Sequence, residues 1–378
     1  MDWRSLIPEY VQAFEAYTPS KPDDILMQEY GCRLLHRLNN NENPFGPPPA
    51  AADIIRRFPP EKAALYPSGD SYALRHALSK RFGLDPDGFL VGNGSCEVIT
   101  GVIKAFCEPG DNIVTADRTF AVYEWVASFS GVEPRLVPLV DFTFDDAGIL
   151  SRIDERTKIV FLCNPNNPTG TWWNRCRMQR FLEQVDNRCI VVVDEAYREY
   201  VDDPDFPDGY DLMRAFENVV VFRTFSKMYA LAGLRVGYLA ASETLARFIR
   251  KTVVAYSVNR PAQEAAEAAL SDDREHIEKT RALVREGKRF LKDIAAEMNF
   301  PFQSGEGNYV MMKPPMNDTL LYRKLMKRGF MIRTMTGFRF PGWIRVTIRE
   351  MPVMEAFGKA LREVFAESGE ESGSRSSR

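Results

Sequence analysis

Near the middle of the 378-residue chain, Thr224 and Ser226 stand just before Lys227, and Arg235 follows shortly after. Apolar runs at 219–222 and 236–241 flank this stretch. A primary amine beside hydroxyls and a guanidinium suits a phosphorylated aldehyde. The amine condenses with the carbonyl, and the other groups hold the phosphate. The same residues also suit an exposed loop with a solvated lysine, so this stretch needs support from the rest of the chain.

Three other stretches supply it. Residues 159–163 form an apolar run that leads into Asn164-Pro165-Asn166-Asn167-Pro168-Thr169-Gly170, and 190–193 lead into Asp194-Glu195-Ala196-Tyr197. An acid at the end of a buried strand is costly unless paired, although Asp194 also fits a helix cap and Asn167 a turn. Gly92-Asn93-Gly94-Ser95 opens a helical pattern (Val98, Ile99, Val102, Ile103, Phe106). Its free amides and helix dipole suit a phosphate, and equally an ordinary cap. Together these residues meet one chemical need, that of pyridoxal phosphate. Asp194 keeps the ring nitrogen protonated, Asn167 and Tyr197 hold the 3-oxygen, and Lys227 takes the aldehyde and later moves a substrate proton. The turn at Gly94 and Ser95, with Thr224, Ser226 and Arg235, holds the phosphate.

The elements that must position these groups read as an α/β domain. Short apolar runs at 112–115, 135–139, 158–163, 189–193, 219–222 and 236–240 predict strands, several buried on both faces, and 173–185 predicts a crossover helix. A mainly parallel sheet gathers ligands at the carboxyl ends of its strands. Past residue 256 the texture changes. Helices are predicted at 261–270, 272–298, 319–328 and 353–365, and strands at 308–312, 330–333 and 343–348, giving a smaller α+β domain. The predicted division is an N-terminal arm (1–45) packing with the small domain, a large domain (46–258), the small domain (259–366) and a disordered Ser/Gly/Glu/Arg tail (367–378). Arg333, Arg339 and Arg345 lie in or near the small domain's strands, either as salt-bridged surface groups or as a carboxylate or phosphate clamp.

Composition excludes other classes. With 45% hydrophobic and 27% charged residues and a net charge of −3, the chain is an ordinary globular protein without the basic excess of a nucleic-acid binder. No apolar stretch approaches membrane-span length, and Met1-Asp2-Trp3-Arg4 lacks a signal-peptide pattern, so a cytoplasmic location is expected. Six cysteines without Cys-x-x-Cys spacing and three separated histidines predict neither a disulfide framework nor a metal site.

These motifs resemble the fold-type I pyridoxal-phosphate aminotransferases, and most of all the histidinol-phosphate aminotransferases among them. The resemblance rests on Tyr17-x-x-x-Lys21-Pro22, Asn41-Glu42-Asn43-Pro44-x-Gly46-Pro47, Tyr66-Pro67-x-Gly69, the Gly92, Asn164, Asp194 and Arg223 motifs, Leu231-Ala232-Gly233-Leu234-Arg235-Val236-Gly237-Tyr238, and Trp343-Ile344-Arg345-Val346-Thr347. It implies a seven-stranded-type sheet with helices on both faces, and a homodimer with sites at the subunit interface. Lys227 would carry the cofactor, Asp194 would face the pyridine nitrogen, and Asn167 and Tyr197 the 3-oxygen. Tyr123 would stack on the ring. Ser95, Thr224, Ser226 and Arg235 would hold the phosphate, with Cys96 beside them and Tyr66 reaching in from the partner subunit. Tyr17, Asn43, Arg333 and Arg345 would meet an anionic substrate. The implied reaction is amino transfer between histidinol phosphate and 2-oxoglutarate in histidine biosynthesis. The family also contains aromatic amino-acid transaminases and threonine-phosphate decarboxylase. The chain departs from the usual pattern at Arg118 (usually proline), Cys96 (usually acidic) and Ala230 (usually glycine).

Overall fold

The computed structural model describes residues 3–15, 20–271 and 273–375, with side chains as far as Glu367. Twelve strands lie among the described residues: β1 (His36–Leu38), β2 (Phe89–Gly92), β3 (Asn112–Ala116), β4 (Glu133–Val137), β5 (Thr157–Cys163), β6 (Ile190–Asp194), β7 (Val219–Thr224), β8 (Gly237–Ala240), β9 (Phe302–Gln303), β10 (Tyr309–Met312), β11 (Phe330–Thr334) and β12 (Ile344–Thr347). The chain divides into two compact units.

The first unit holds the described parts of Met1–Ala16, with Phe45–Asn167 and Thr171–Glu278. Its seven-stranded sheet runs β2-β8-β7-β6-β5-β3-β4. Neighbours from β4 through β7 are parallel, and β8 runs antiparallel to both β7 and β2. Every residue of β2, β3, β6, β7 and β8 is buried. Side chains alternate between the two faces of a strand, so both faces of this sheet are covered, as the continuous apolar runs predict.

Register fixes where the chemistry gathers. Cys163 pairs with Asp194 and Asp194 with Phe222, so β5, β6 and β7 end side by side. Thr224 pairs with Gly237 and Gly237 with Gly92, which brings the end of β2 to the same edge. Four strands therefore release their connections along one carboxyl edge, where parallel sheets bind ligands.

The second unit comprises the described parts of Tyr17–Pro44, with Pro168–Gly170 and Lys279–Arg378 as far as it is described. Its five-stranded sheet runs β1-β11-β12-β10-β9. Strand β1 joins β11 in parallel, and the other pairs are antiparallel. Leu26, Met326 and Met331 form a local core with Tyr30, Leu35 and Tyr322 against it.

The observed division departs from the sequence reading in two places. The first residues belong to the large unit rather than the small one, because Phe14 packs edge-on against Phe129 at 5.5 Å. The large unit also extends past 258 to Glu278, since the helix Arg260–Ala269 packs on the helices Pro49–Arg56 and Tyr72–Phe82. The closing helix runs Met351–Arg375, past residue 367 where composition predicts disorder. Only positions 376–378 of that predicted tail lie outside the described residues. No described helix is long and apolar enough to cross a membrane. No group of three or more metal-ligating side chains occurs among the described residues.

Candidate active site

The connection after β7 places Lys227 in a tight turn. Leu231 N–H donates to the Phe225 carbonyl at 2.9 Å, and Ala230 N–H donates to the Lys227 carbonyl at 3.2 Å. Thr224 and Ser226 are buried, and Ser226 N–H donates to Thr224 Oγ1 at 3.1 Å. Lys227 itself is half-buried.

Across the edge, Gly94 caps the helix Ser95–Phe106, whose buried face is Val98, Ile99, Val102 and Ile103. Gly94 has φ +75, and a Cβ there would lie 2.2 Å from the Arg235 guanidinium. A Cβ on Gly237 would lie 3.0 Å from Ser95 N. Gly94 leaves room for Arg235 at the helix N-terminus, and Gly237 lets β8 lie close against that N-terminus. Glu97 braces the turn by accepting from Asn93 N–H at 2.5 Å and from Ser257 Oγ at 2.7 Å. The recess thus combines a guanidinium, hydroxyls and the positive end of a helix, a donor set made for an anion.

Asp194, 2% exposed, ends β6. Burial pushes its carboxyl up to about 6, against hydrogen bonds that favour the charged form. Tyr123 Oη donates to Asp194 Oδ2 at 2.5 Å, and Ala196 N–H donates to Oδ1 at 3.0 Å. The Tyr123 ring is fully buried and stacks on Phe161 at 4.6 Å. Its placement differs from the family expectation of a stacking ring face, because Phe161 covers that face and the hydroxyl serves Asp194. The buried Cys163 thiol reports the same neighbourhood. Burial and then Asp194 raise its pKa, while Asn167 N–H and the Tyr123 and Thr119 hydroxyls oppose the rise. Asn167 and Tyr197 are both buried at this edge.

Cys96 is exposed, on the first turn of the cradle helix. Desolvation raises its thiol pKa, Arg235 and Lys227 lower it, and Asp194 raises it. Arg235, Asp194 and Lys227 are thus all near enough to act on this one thiol. Tyr66, 81% exposed, stands apart with its ring 5.2 Å from that of Tyr256.

In the second unit, Arg333 and Arg345 face each other in register across β11 and β12. Directly opposed residues share a face of the sheet. Arg345 is buried and donates to the Asn39 carbonyl at 2.7 Å, with its guanidinium 5.4 Å from the Tyr309 ring. Arg333 is half-buried with its guanidinium 5.1 Å from Phe338. Asn43 is buried and donates to Thr280 Oγ1 at 3.2 Å, which makes it a strut within this unit. Tyr17 lies outside the described residues.

Sequence reading missed a buried ion pair behind the site. Arg223 Nε donates to Glu195 Oε2 at 2.8 Å, and Glu195 Oε1 accepts Gly209 N–H at 2.8 Å. The guanidinium also lies 3.9 Å from the Tyr210 ring. This pair ties the ends of β6 and β7 together, one residue beyond Asp194 and one before Thr224. Its signal was present as an acid and a base abutting two site residues at strand ends.

The profile of aminotransferases of class I and II matches residues 35–360. The chain belongs to this family. Aminotransferases of this class depend on pyridoxal phosphate. The chain is 36% identical to histidinol-phosphate aminotransferase of Moorella thermoacetica, covering 95% of this chain and 92% of the relative. It is 37% identical to that of Caldicellulosiruptor saccharolyticus, covering 94% and 99%. Among solved structures, histidinol-phosphate aminotransferase of Sinorhizobium meliloti in complex with pyridoxal 5'-phosphate superposes with a TM-score of 0.86 at 25% identity, covering 96% of this chain and 98% of that one.

Two departures from the aminotransferase pattern have visible structural consequences. Arg118 pins its loop, donating to Asp117 and to the Leu139 carbonyl at 3.1 Å each. Ala230 adopts φ +53, a left-handed conformation that glycine enters without strain.

Proposed function

We propose that this aminotransferase transfers the amino group of histidinol phosphate to 2-oxoglutarate, giving imidazole acetol phosphate and glutamate in histidine biosynthesis. The observation that carries the chemistry is the shared register of strand ends, which places buried Asp194 beside the turn of Lys227 and the cradle of Gly94. The names of the relatives support the substrate.

The residues fit the cofactor. Gly94 leaves room for Arg235 at a helix N-terminus, and the phosphate-side groups Ser95, Thr224, Ser226 and Arg235 are all donors, with Cys96 at their rim. When bound, pyridoxal phosphate supplies an electron sink for the substrate carbanion. Asp194 would hold a proton on the ring nitrogen, with Tyr123 orienting its carboxylate. Asn167 and Tyr197 would donate to the 3-oxygen. Lys227 would anchor the cofactor covalently and, once released, take the proton from the substrate Cα and return it. Both substrates are anionic, and the opposed Arg333 and Arg345 would bind them through planar bidentate contacts, with Tyr17 and Asn43 adding single polar contacts.

The reading includes a cytoplasmic homodimer in which Tyr66 of one subunit meets the phosphate of the other. Its support is the family resemblance and the exposure of Tyr66. The test is a steady-state comparison of amino donors. Histidinol phosphate should outperform phenylalanine, with turnover that requires 2-oxoglutarate and disappears in Lys227→Ala. Equal rates with phenylalanine, or carbon dioxide release without 2-oxoglutarate, would overturn the substrate assignment. Wild-type turnover by Lys227→Ala would overturn the mechanism.

A further inference from the structure

Lys227 sits on a turn held from beneath by another part of the large unit. Met228 is fully buried, and His276 Nε2 lies 2.8 Å from its carbonyl oxygen. A carbonyl only accepts, so this ring nitrogen carries a proton and donates. The next residue, Tyr229, is buried and donates its hydroxyl to Asp273 Oδ2 at 2.9 Å. Asp273 is buried too, and Arg81 reaches its two carboxylate oxygens at 3.1 and 3.3 Å. Asp273 immediately precedes the helix Arg274–Glu297, and His276 lies in that helix's first turn. One helical turn therefore grips two successive residues directly after Lys227.

We propose that His276, seconded by the Tyr229, Asp273 and Arg81 chain, is a positioning residue for Lys227. The lysine reaches its target on a flexible four-carbon stem, so the geometry of attack depends on where its Cα is fixed. The turn is under strain from Ala230 at φ +53 and needs outside restraint to keep its shape. His276 supplies that restraint at the Met228 carbonyl, one peptide beyond the lysine, so it acts through the lysine's backbone. This inference rests on the reading of Lys227 as the cofactor-linked residue.

The experiment compares His276→Leu, which removes the donor, with His276→Gln, which keeps an N–H donor on a side chain of similar reach. The readouts are the dissociation constant of pyridoxal phosphate from cofactor-depleted protein, measured by fluorescence, and the pH midpoint of the visible absorption of the lysine-linked cofactor. His276→Leu should weaken cofactor binding by about fivefold or more and move the midpoint, and His276→Gln should restore both. Thermal melting of the depleted proteins controls for folding. If His276→Leu does not accumulate, Tyr229→Phe is read in the same way. Values for His276→Leu within about twofold of wild type, or equal defects in the Leu and Gln variants, overturn the proposal. Borohydride reduction of wild type followed by peptide mapping separates the two levels. A label on Lys227 leaves the variants to decide, whereas a label elsewhere removes the lysine assignment and this proposal with it.

Discussion

Replacing Asp194 by asparagine should stabilise the cofactor-depleted protein at neutral pH while impairing cofactor binding. Asp194 is buried, and desolvation raises its pKa from an ordinary 3.8 to about 6. The folded protein thus binds this proton more tightly than the unfolded chain. The stability it contributes is fully present below the unfolded value and is lost as pH rises through the folded one. The interval from 3.8 to about 6 corresponds to about 3 kcal/mol. Asparagine keeps the shape and an acceptor for Ala196 N–H without a charge to desolvate. Urea unfolding of both depleted proteins across this range gives a difference from which other titrating groups cancel. That difference should move in the variant's favour by about 3 kcal/mol, mostly between about pH 4 and pH 6. A difference independent of pH would refute the reasoning, because burial would then not be what shifts the carboxyl. The same variant should hold pyridoxal phosphate more weakly, since an amide cannot keep the ring nitrogen protonated.

Glu195→Ala leaves the buried Arg223 with only the longer contact to Asp208 at 3.4 Å and should cost about 3–5 kcal/mol in urea unfolding; a loss under about 1 kcal/mol would show that Asp208 or solvent compensates the pair. Ala230→Gly relieves a left-handed alanine and should raise stability by about 1 kcal/mol, seen as a higher thermal midpoint. Arg333→Gln should raise KM for histidinol phosphate about tenfold or more with a smaller change in kcat, and an unchanged KM would remove Arg333 from the clamp. Alkylation of Cys96 should be slower at neutral pH than that of an ordinary thiol and accelerate only at higher pH, because its thiol pKa is raised, and should slow further when pyridoxal phosphate is added; Cys96→Ser identifies the labelled position.

Much of the large unit was legible because its physics is local. Runs such as 190–193 are apolar without alternation, which only a strand covered on both faces explains, and β6 is buried throughout. Asp194 and Lys227 stood out because a charge at the end of such a run demands a partner or a purpose. The reversed direction of β8 was not legible, since the apolar run that forms it reads alike in either direction. Its consequence matters: only an antiparallel β8 lets Gly237 pair with both Thr224 and Gly92, closing the cradle around Arg235.

The register that pairs the small unit's arginines and the ion pair behind the ends of β6 and β7 were not legible for a different reason. Whether an arginine is a surface charge or a recognition group depends on what lies across from it, and the partner is far away in sequence. Arg345 pairs in register with Arg333 and also bonds to Asn39, more than three hundred positions away. Arg223 and Glu195 meet because β6 and β7 are neighbours, a fact of strand order rather than composition. Tyr123 makes the same point in reverse. Its position between β3 and β4 suited a ring-stacking role by resemblance, yet Phe161 on β5 takes its face and Asp194 takes its hydroxyl. A residue's type sets the chemistry it can offer, and the neighbouring strand decides which part of that chemistry is used.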